Sequence, residues 1–313
     1  MYASVVSKRL NSALLYIKPH SFKTGMQYLV SSCLDDHNIR VLSRGKYSTV
    51  EIQQQQLFDR QFSYMARYAV TAPAQTVALT ESESALFQDM FEEEWAQVQS
   101  GHRVWNAAEA CESLCFSPEQ LYDLWKCATL QLQLRRGLQV CRIDQANATA
   151  NSALLEQVVE PLYVINGFYP SMRLSYTASG SPLHYMVIEW EGSQLSWRDL
   201  LDKVVGHEDP RRALSGSIRA KLLQQWEELG LTAPPDRRDN GVHVSKSAFE
   251  GLAERLVWSK GAVLFTDSFG SRLLNSNIPA FTVQNWLQNP TIQDQGVFDH
   301  MHGMEAEECV AKA

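Results

Sequence analysis

No apolar run in these 313 residues approaches the roughly 20 that cross a bilayer. The opening stretch, MYASVVSKRLNSALLYIKPHSF, lacks a convincing apolar h-region and cleavage site. Neither a membrane partner nor secretion is expected. The absence of any acid before Asp35 is a weak transit-peptide signal, but ALLYIK reads better as a first strand, and the expectation is a cytoplasmic protein. A basic excess is also missing: 28 Lys and Arg against 35 Asp and Glu leave a formal charge of −7. No global field tracks nucleic acid, which is not an expected partner, although a local patch can still meet a phosphate. The six cysteines, at 33, 111, 115, 127, 141 and 309, are scattered, which speaks against a disulfide framework. Cys111 and Cys115 would lie one helical turn apart, yet no second Cys or His pair has suitable spacing, so no protein-borne metal site is expected. Repeats and low-complexity tracts are absent too.

What is present has the makeup of a soluble globular chain, 45% hydrophobic and 20% charged, long enough for one large domain or two smaller ones. SALLYIK (12–18) is short, apolar and closed by Lys18-Pro19, as suits a buried strand. From Phe22 to His37 the apolar residues Met26, Leu29, Val30, Cys33 and Leu34 recur at helical spacing, and IRVLSRGKY returns as a second strand. Residues 52–69 again look helical. Between about 70 and 162 three helices are predicted: one capped by Thr80 and closing at Gly101, one over VWNAAEACESL, and one over SPEQLYDLWKCATLQLQL with Ser117 as cap and Pro118 at the first helical position. GLQVCRI reads as a short strand. LYVINGFY and HYMVIEWEG (184–192) are strands, SIRAKLLQQWEELG a helix, VHVS a strand, and SAFEGLAERLVW a helix. This order predicts an α+β protein: a ferredoxin-like βαββαβ antiparallel sheet with helices, interrupted by a mainly helical insertion. The expected organisation is a discontinuous domain over 12–69 and 163–258, the insertion over 70–162, a packing extension over 259–290, and a loose polar tail over 291–313. Trp95, Trp105 and Trp125 are expected to form the insertion's core.

Several motifs, taken in order, resemble the nucleoside diphosphate kinase family over about half of the chain. In YIKPHSFKTG, Lys18-Pro19 resembles the family's strand-ending pair, whose lysine contacts the transferring phosphate, with Gly25 at the matching offset and His20 where aspartate is usual. GFYPSM is similar to an aromatic pair before a helix, which makes Phe168 the base-stacking candidate and Met172 its apolar neighbour. Phe58 stands where a tyrosine near the phosphates is usual. VIEWEG resembles the third strand. VGHEDP and SGSIR resemble the phosphate-binding loop, with Gly206, Pro210, Gly216 and Arg219 on matching positions. NGVHVSKS resembles the active-site strand, with Asn240, the phosphorylated histidine at His243, and Ser245 and Ser247. Glu254, eleven residues after His243, falls where the family keeps the glutamate that orients that histidine, and Trp258 follows four residues later.

The resemblance implies phosphoryl transfer from ATP or another nucleoside triphosphate through phospho-His243 to a nucleoside diphosphate or related acceptor. Mg²⁺ would be carried on the nucleotide phosphates, and the family's habit implies a homo-oligomer. The chemistry asked of the residues is coherent. A neutral imidazole attacks phosphorus, a carboxylate partner fixes its tautomer, and Lys18 and Arg219 neutralise charge. The sequence departs from the family where Leu200 or Asp202 falls at a second phosphate-binding arginine and Glu208 at a threonine. Arg198, Lys203, Arg211 or Arg212 are the candidates to compensate. The segment between Arg219 and Asn240 is longer than the family needs, and Arg237 and Arg238 there read either as phosphate contacts or as a solvated turn. The insertion reads as a lid or an altered acceptor pocket, or else as an interaction surface or decoration. The rival to catalysis is a degenerate nucleotide-binding or scaffold domain.

Overall fold

A computed structural model describes residues 10–144, 160–178, 180–293 and 295–312. The strands among them are, in chain order, β1 (Leu10–Ile17), β2 (Arg40–Tyr47), β3 (Val104–Asn106), β4 (Gln131–Arg135), β5 (Leu138–Ile143), β6 (Leu162–Ile165), β7 (Leu183–Glu191), β8 (Val242–Val244), β9 (Thr291–Ile292) and β10 (Gln295–Gly296). The protein is α+β, and no helix among the described residues is long and apolar enough to cross a membrane. The chain divides into two compact units. The first is Met1–Leu57 with Tyr176–Pro290 and Val297–Ala313, and the second is Phe58–Ser175 with Thr291–Gly296.

The first unit is built on a four-stranded sheet of order β2-β7-β1-β8 in which every neighbouring pair is antiparallel. β1 is paired on both edges, and from Asn11 to Ile17 it is buried without interruption, which is why it reads as a run of apolar residues rather than as an alternation. The edge strand β2 is largely exposed and carries a bulge between Val41 and Ser43. Helix Thr24–Asp36 buries Met26, Val30, Cys33 and Leu34, one stripe at helical spacing.

Helix Ala248–Trp258 is capped by Ser247, whose hydroxyl accepts from Glu250 N, and packs on β1. A Cβ on Gly251 would lie 2.8 Å from the Ser12 carbonyl oxygen, so only glycine permits this approach. On the same helix Arg255 donates to Ser12 O at 2.6 Å and forms a two-pronged pair with Asp267 at 2.7 and 2.8 Å. Asp267 also caps helix Ser268–Asn275. Both charges are buried, and burial of the Asp267 carboxyl is outweighed by Arg255 and two backbone amides, which hold it below the usual carboxylate range.

The end of the chain departs from the loose tail expected of it. Val297, Phe298, Met301, Ala306 and Cys309 are buried, and helix Ala306–Lys312 follows Glu305, whose carboxylate accepts from Asn11 Nδ2 at 2.6 Å and from Trp197 N at 2.7 Å. Glu305 satisfies two donors that would otherwise be stranded in the core. That task made an acidic segment look like a solvated tail.

The second unit has a mixed sheet of order β3-β6-β5-β4, with β3 parallel to β6 and the other pairs antiparallel. The expected insertion is richer in helix than in strand, but it carries a sheet of its own, and two segments read as helical are strands. LQLQL, read as the end of a helix, is β4: helix Pro118–Cys127 stops there and the chain enters a hairpin with β5. VWN, read as helical, is β3, and Asn106 caps the helix Ala107–Ser113 that follows it. Thr80 and Ser117 do act as caps, each with a reciprocal capping box, but the helix read from Thr80 to Gly101 ends at Phe91, where Glu92 turns left-handed, and a second helix covers Trp95–Ser100. The predicted helix over 52–69 is broken into Thr49–Gln54, Leu57–Gln61 and Ser63–Ala66, and the boundary between the units falls inside it. LYVI, assigned to the first domain, is β6 of the second. Phe87, Phe91, Trp95, Val98, Val140, Tyr163 and Ile165 form this unit's core. Trp125 is buried with Trp95, while Trp105 is only half-buried.

Candidate functional site

β8 lies beside the end of β1, so that His243 pairs with Tyr16 across the sheet and Lys18 N donates to Gly241 O at 2.9 Å. The Tyr16 ring stacks on the His243 ring, with centroids 4.6 Å apart and planes 18° from parallel. Lys18 is two residues beyond Tyr16 along extended backbone, on the same side of the strand. From helix Ala248–Trp258 the Glu254 carboxylate takes His243 Nε2 on one oxygen and the Ser245 hydroxyl on the other, both at 2.6 Å. Ser245 is itself fixed by Leu14 N, which donates to its Oγ at 2.9 Å. The His243 side chain is 15% exposed and that of Glu254 5%. Since a carboxylate only accepts, the arrangement assigns the imidazole proton to Nε2 and the lone pair of the neutral ring to Nδ1.

Lys18 Nζ donates to Arg238 O at 2.8 Å. That carbonyl is delivered by the PPDRRDN turn, in which Asp236 accepts from the amides of Arg238 and Asp239 at 2.8 and 2.7 Å. Burial, and then the neighbouring Arg219 charge, lower the Lys18 ammonium to about 7. His20 is also pushed down, by burial first, against Asp239 at 3.6 Å.

Arg219 opens helix Ile218–Gln224, which Ser217 caps. Its guanidinium donates to Gly206 O and Val242 O, both at 2.8 Å, and so ties the loop to β8. Its Nε is buried without a hydrogen-bond partner among the described residues, and burial lowers the group to about 10. Gly206 sits at φ +92°, and a Cβ there would lie 2.4 Å from Ser217 Oγ. Asn240 Nδ2 donates to Glu208 O at 3.0 Å and Arg237 O at 3.1 Å, while its Oδ1 is buried without a partner among the described residues.

Glu208 has a cation beside each of its carboxylate oxygens. Lys246 Nζ binds its Oε1, and Arg237 stands 3.7 Å from its Oε2. Burial alone would raise its carboxyl, but Lys246, Arg219 and Arg237 outweigh that and hold it at about 2. Leu200 is a core residue and Asp202 is exposed. Of the four suggested compensating cations, Arg211 is paired with Asp209 and Lys203 with Asp199, while Arg198 and Arg212 are exposed.

His243, Lys18, Glu254, Arg219, Asn240, Gly206 and Ser245 all belong to the first unit, whereas Phe58, Phe168 and Met172 belong to the second. Phe58 is 1% exposed, its ring against Phe62 and Tyr169, which leaves no face for a ligand. Phe168 is half-buried with its ring edge-on to Trp125, and Met172 is half-buried one helical turn on. Sequence reasoning missed Tyr16 and Lys246. Both lie inside quoted motifs, two residues before Lys18 and three after His243. Tyr16 was detectable only by pairing its strand with β8, and Lys246 only by folding the loop onto it. Among the described residues no three His, Cys, Asp or Glu side chains gather as a metal site.

No protein-family model and no curated protein matches the chain. Among solved structures it is similar to an NDP kinase from Pyrobaculum aerophilum, at 15% identity over 80% of this chain and 97% of that one, with a TM-score of 0.38. It is similar also to the nucleoside diphosphate kinase of Aquifex aeolicus, at 10% identity over 80% and 96%, TM-score 0.35. A third is that of Borrelia burgdorferi, a transition-state mimic with bound vanadate and ADP, at 14% identity over 81% and 89%, TM-score 0.34. At these identities and scores the likeness assigns no residue a role, and what the site does has to be argued from its own contacts.

Proposed function

We propose that the first unit is a ferredoxin-like, nucleoside-diphosphate-kinase-like phosphotransferase domain that works through phospho-His243. The observation that carries this reading is the run of contacts from Ser245 through Glu254 to His243, set beside a lysine whose charge burial disfavours. A cation that is costly in the unliganded protein marks a place prepared for an anion.

In this reading Glu254 keeps the proton on Nε2, and the Nδ1 lone pair attacks the terminal phosphorus of a nucleoside triphosphate. The bond from that phosphorus to the bridging oxygen breaks, and the nucleoside diphosphate leaves with the electron pair. Imidazolium character then develops against the Glu254 carboxylate. A terminal phosphate oxygen of the acceptor, a nucleoside diphosphate or a related compound, reverses the step and restores the neutral ring. Lys18 neutralises charge on the moving phosphoryl group, and Arg219 holds the Gly206 loop in place. Mg²⁺ enters on the phosphates as part of the substrate.

Incubation with γ-labelled ATP tests the proposal. An acid-labile, base-stable label that disappears in His243→Ala is expected. No label, or one that survives this substitution, refutes it. Thermal stabilisation by nucleotide without any label would instead select the degenerate nucleotide-binding reading.

A further inference from the structure

The phosphate-binding loop presents an acid where a neutral hydroxyl is usual, and the missing arginine has no replacement at its own position, since Leu200 is core and Asp202 exposed. Arg219 is committed to two backbone carbonyls. One cation beside the loop is placed differently. Lys246 is three residues beyond His243, its side chain is 33% exposed, and its ammonium is held by the Glu208 carboxylate, itself 42% exposed. Glu208 is two residues from Gly206, and its backbone carbonyl is gripped by Asn240. Its second carboxylate oxygen already faces Arg237, an arginine 78% exposed.

We propose that Lys246 supplies the phosphate-binding cation the loop lacks, and that Glu208 holds it in place until a nucleotide phosphate exchanges for the carboxylate. This rests on the phosphotransferase reading and names how its nucleotide site is completed. A carboxylate and a phosphate oxygen are equivalent acceptors for an ammonium, but the phosphate brings more charge and more oxygens. The pair is only part-buried, so solvent reaches it and the ammonium can change partner without leaving water. Glu208 is not left unpaired by the exchange, because Arg237 stands at its other oxygen. With its carboxyl held at about 2, Glu208 stays ionised at any working pH, so the exchange is driven by ligand and not by protons. Glu208 thereby acts as a built-in competitor that favours ligands rich in phosphate charge.

The test is the Kd of Mg-ADP, measured by calorimetry on the full chain. Lys246→Met is expected to weaken binding about tenfold, the value of one charge-assisted contact. Glu208→Gln, which keeps shape and removes the competing charge, should tighten it several-fold, and that gain should vanish in the Lys246→Met background. If Glu208→Gln leaves Kd unchanged or weakens it while the wild type binds ADP and takes label on His243, the pair is only a structural clasp and the exchange is refuted. If the wild type neither binds ADP nor takes label, the phosphotransferase reading falls and the exchange with it. Should Lys246→Met fail to fold, Glu208→Gln decides alone, with Lys246→Arg expected to retain wild-type affinity.

Discussion

In the nucleotide-free protein burial and the Arg219 charge hold Lys18 at about 7, so that at pH 8 only about one molecule in ten carries the ammonium. A phosphate bound beside it restores the charge, and the missing proton must come from solution. Uptake of about 0.9 proton per nucleotide is expected at pH 8 and about 0.5 at pH 7, provided the bound lysine returns to its ordinary range. Because only the protonated form binds well, affinity should fall about fiftyfold between pH 7 and pH 9, equivalent to about 2.3 kcal/mol. The same shift carries a stability consequence. The folded value lies below the unfolded one, so as pH falls from about 10 to 7 the unfolded chain takes the proton first, and the nucleotide-free protein loses stability over that window before levelling off. Calorimetric titration of Mg-ADP at pH 8, in buffers of different ionisation enthalpy, gives the proton number from the slope of observed heat against buffer enthalpy. The nucleotide phosphates are already ionised there and contribute little. A slope of zero at pH 8, or an undiminished slope in Lys18→Met, would refute the reasoning.

Glu254→Gln retains an acceptor for His243 Nε2 but removes the negative charge that stabilises the developing imidazolium, and should slow phosphohistidine formation by about tenfold to a hundredfold in rapid-quench labelling. An unchanged rate would rule out stabilisation of the imidazolium by the Glu254 charge. Asp267→Ala strands the buried Arg255 guanidinium and should cost about 3–5 kcal/mol in urea unfolding. Since the folded Asp267 carboxyl lies below its unfolded value, the stability it contributes is present above the ordinary carboxylate range and lost as pH falls through it, and that acid dependence should flatten in the same variant. Gly251→Ala forces helix Ala248–Trp258 away from β1, with an expected loss of about 1–3 kcal/mol by the same measurement.

Local signals carried a good part of the molecule. The apolar run of β1 stopped by Lys18-Pro19, the stripe of helix Thr24–Asp36, and the caps at Thr80 and Ser117 are written in neighbouring residues, and the structure has them. The eleven-residue spacing of His243 and Glu254 was legible for the same reason, since a strand, a capped turn and two helical turns fix it within one stretch of chain. LQLQL was misread although its period of two was visible, because it followed a strong helix without a breaker, and only pairing with β5 made it a strand. The short β3 holds too few residues to show a period and is a strand because it pairs with β6.

Sequence by itself determined which side chains the proposed phosphoryl transfer calls on: a histidine with a carboxylate at helical reach, and a lysine at the end of a buried strand. The state of those side chains was decided by the tertiary structure alone. Arg219 is tied to two carbonyls, Glu208 is clasped by Lys246, Tyr16 covers the His243 ring, and Glu305 turns a polar tail into a packed one. Each of these contacts joins residues distant in the chain, and their energies depend on burial and on neighbouring charge, which exist only once the sheet has brought its strands together.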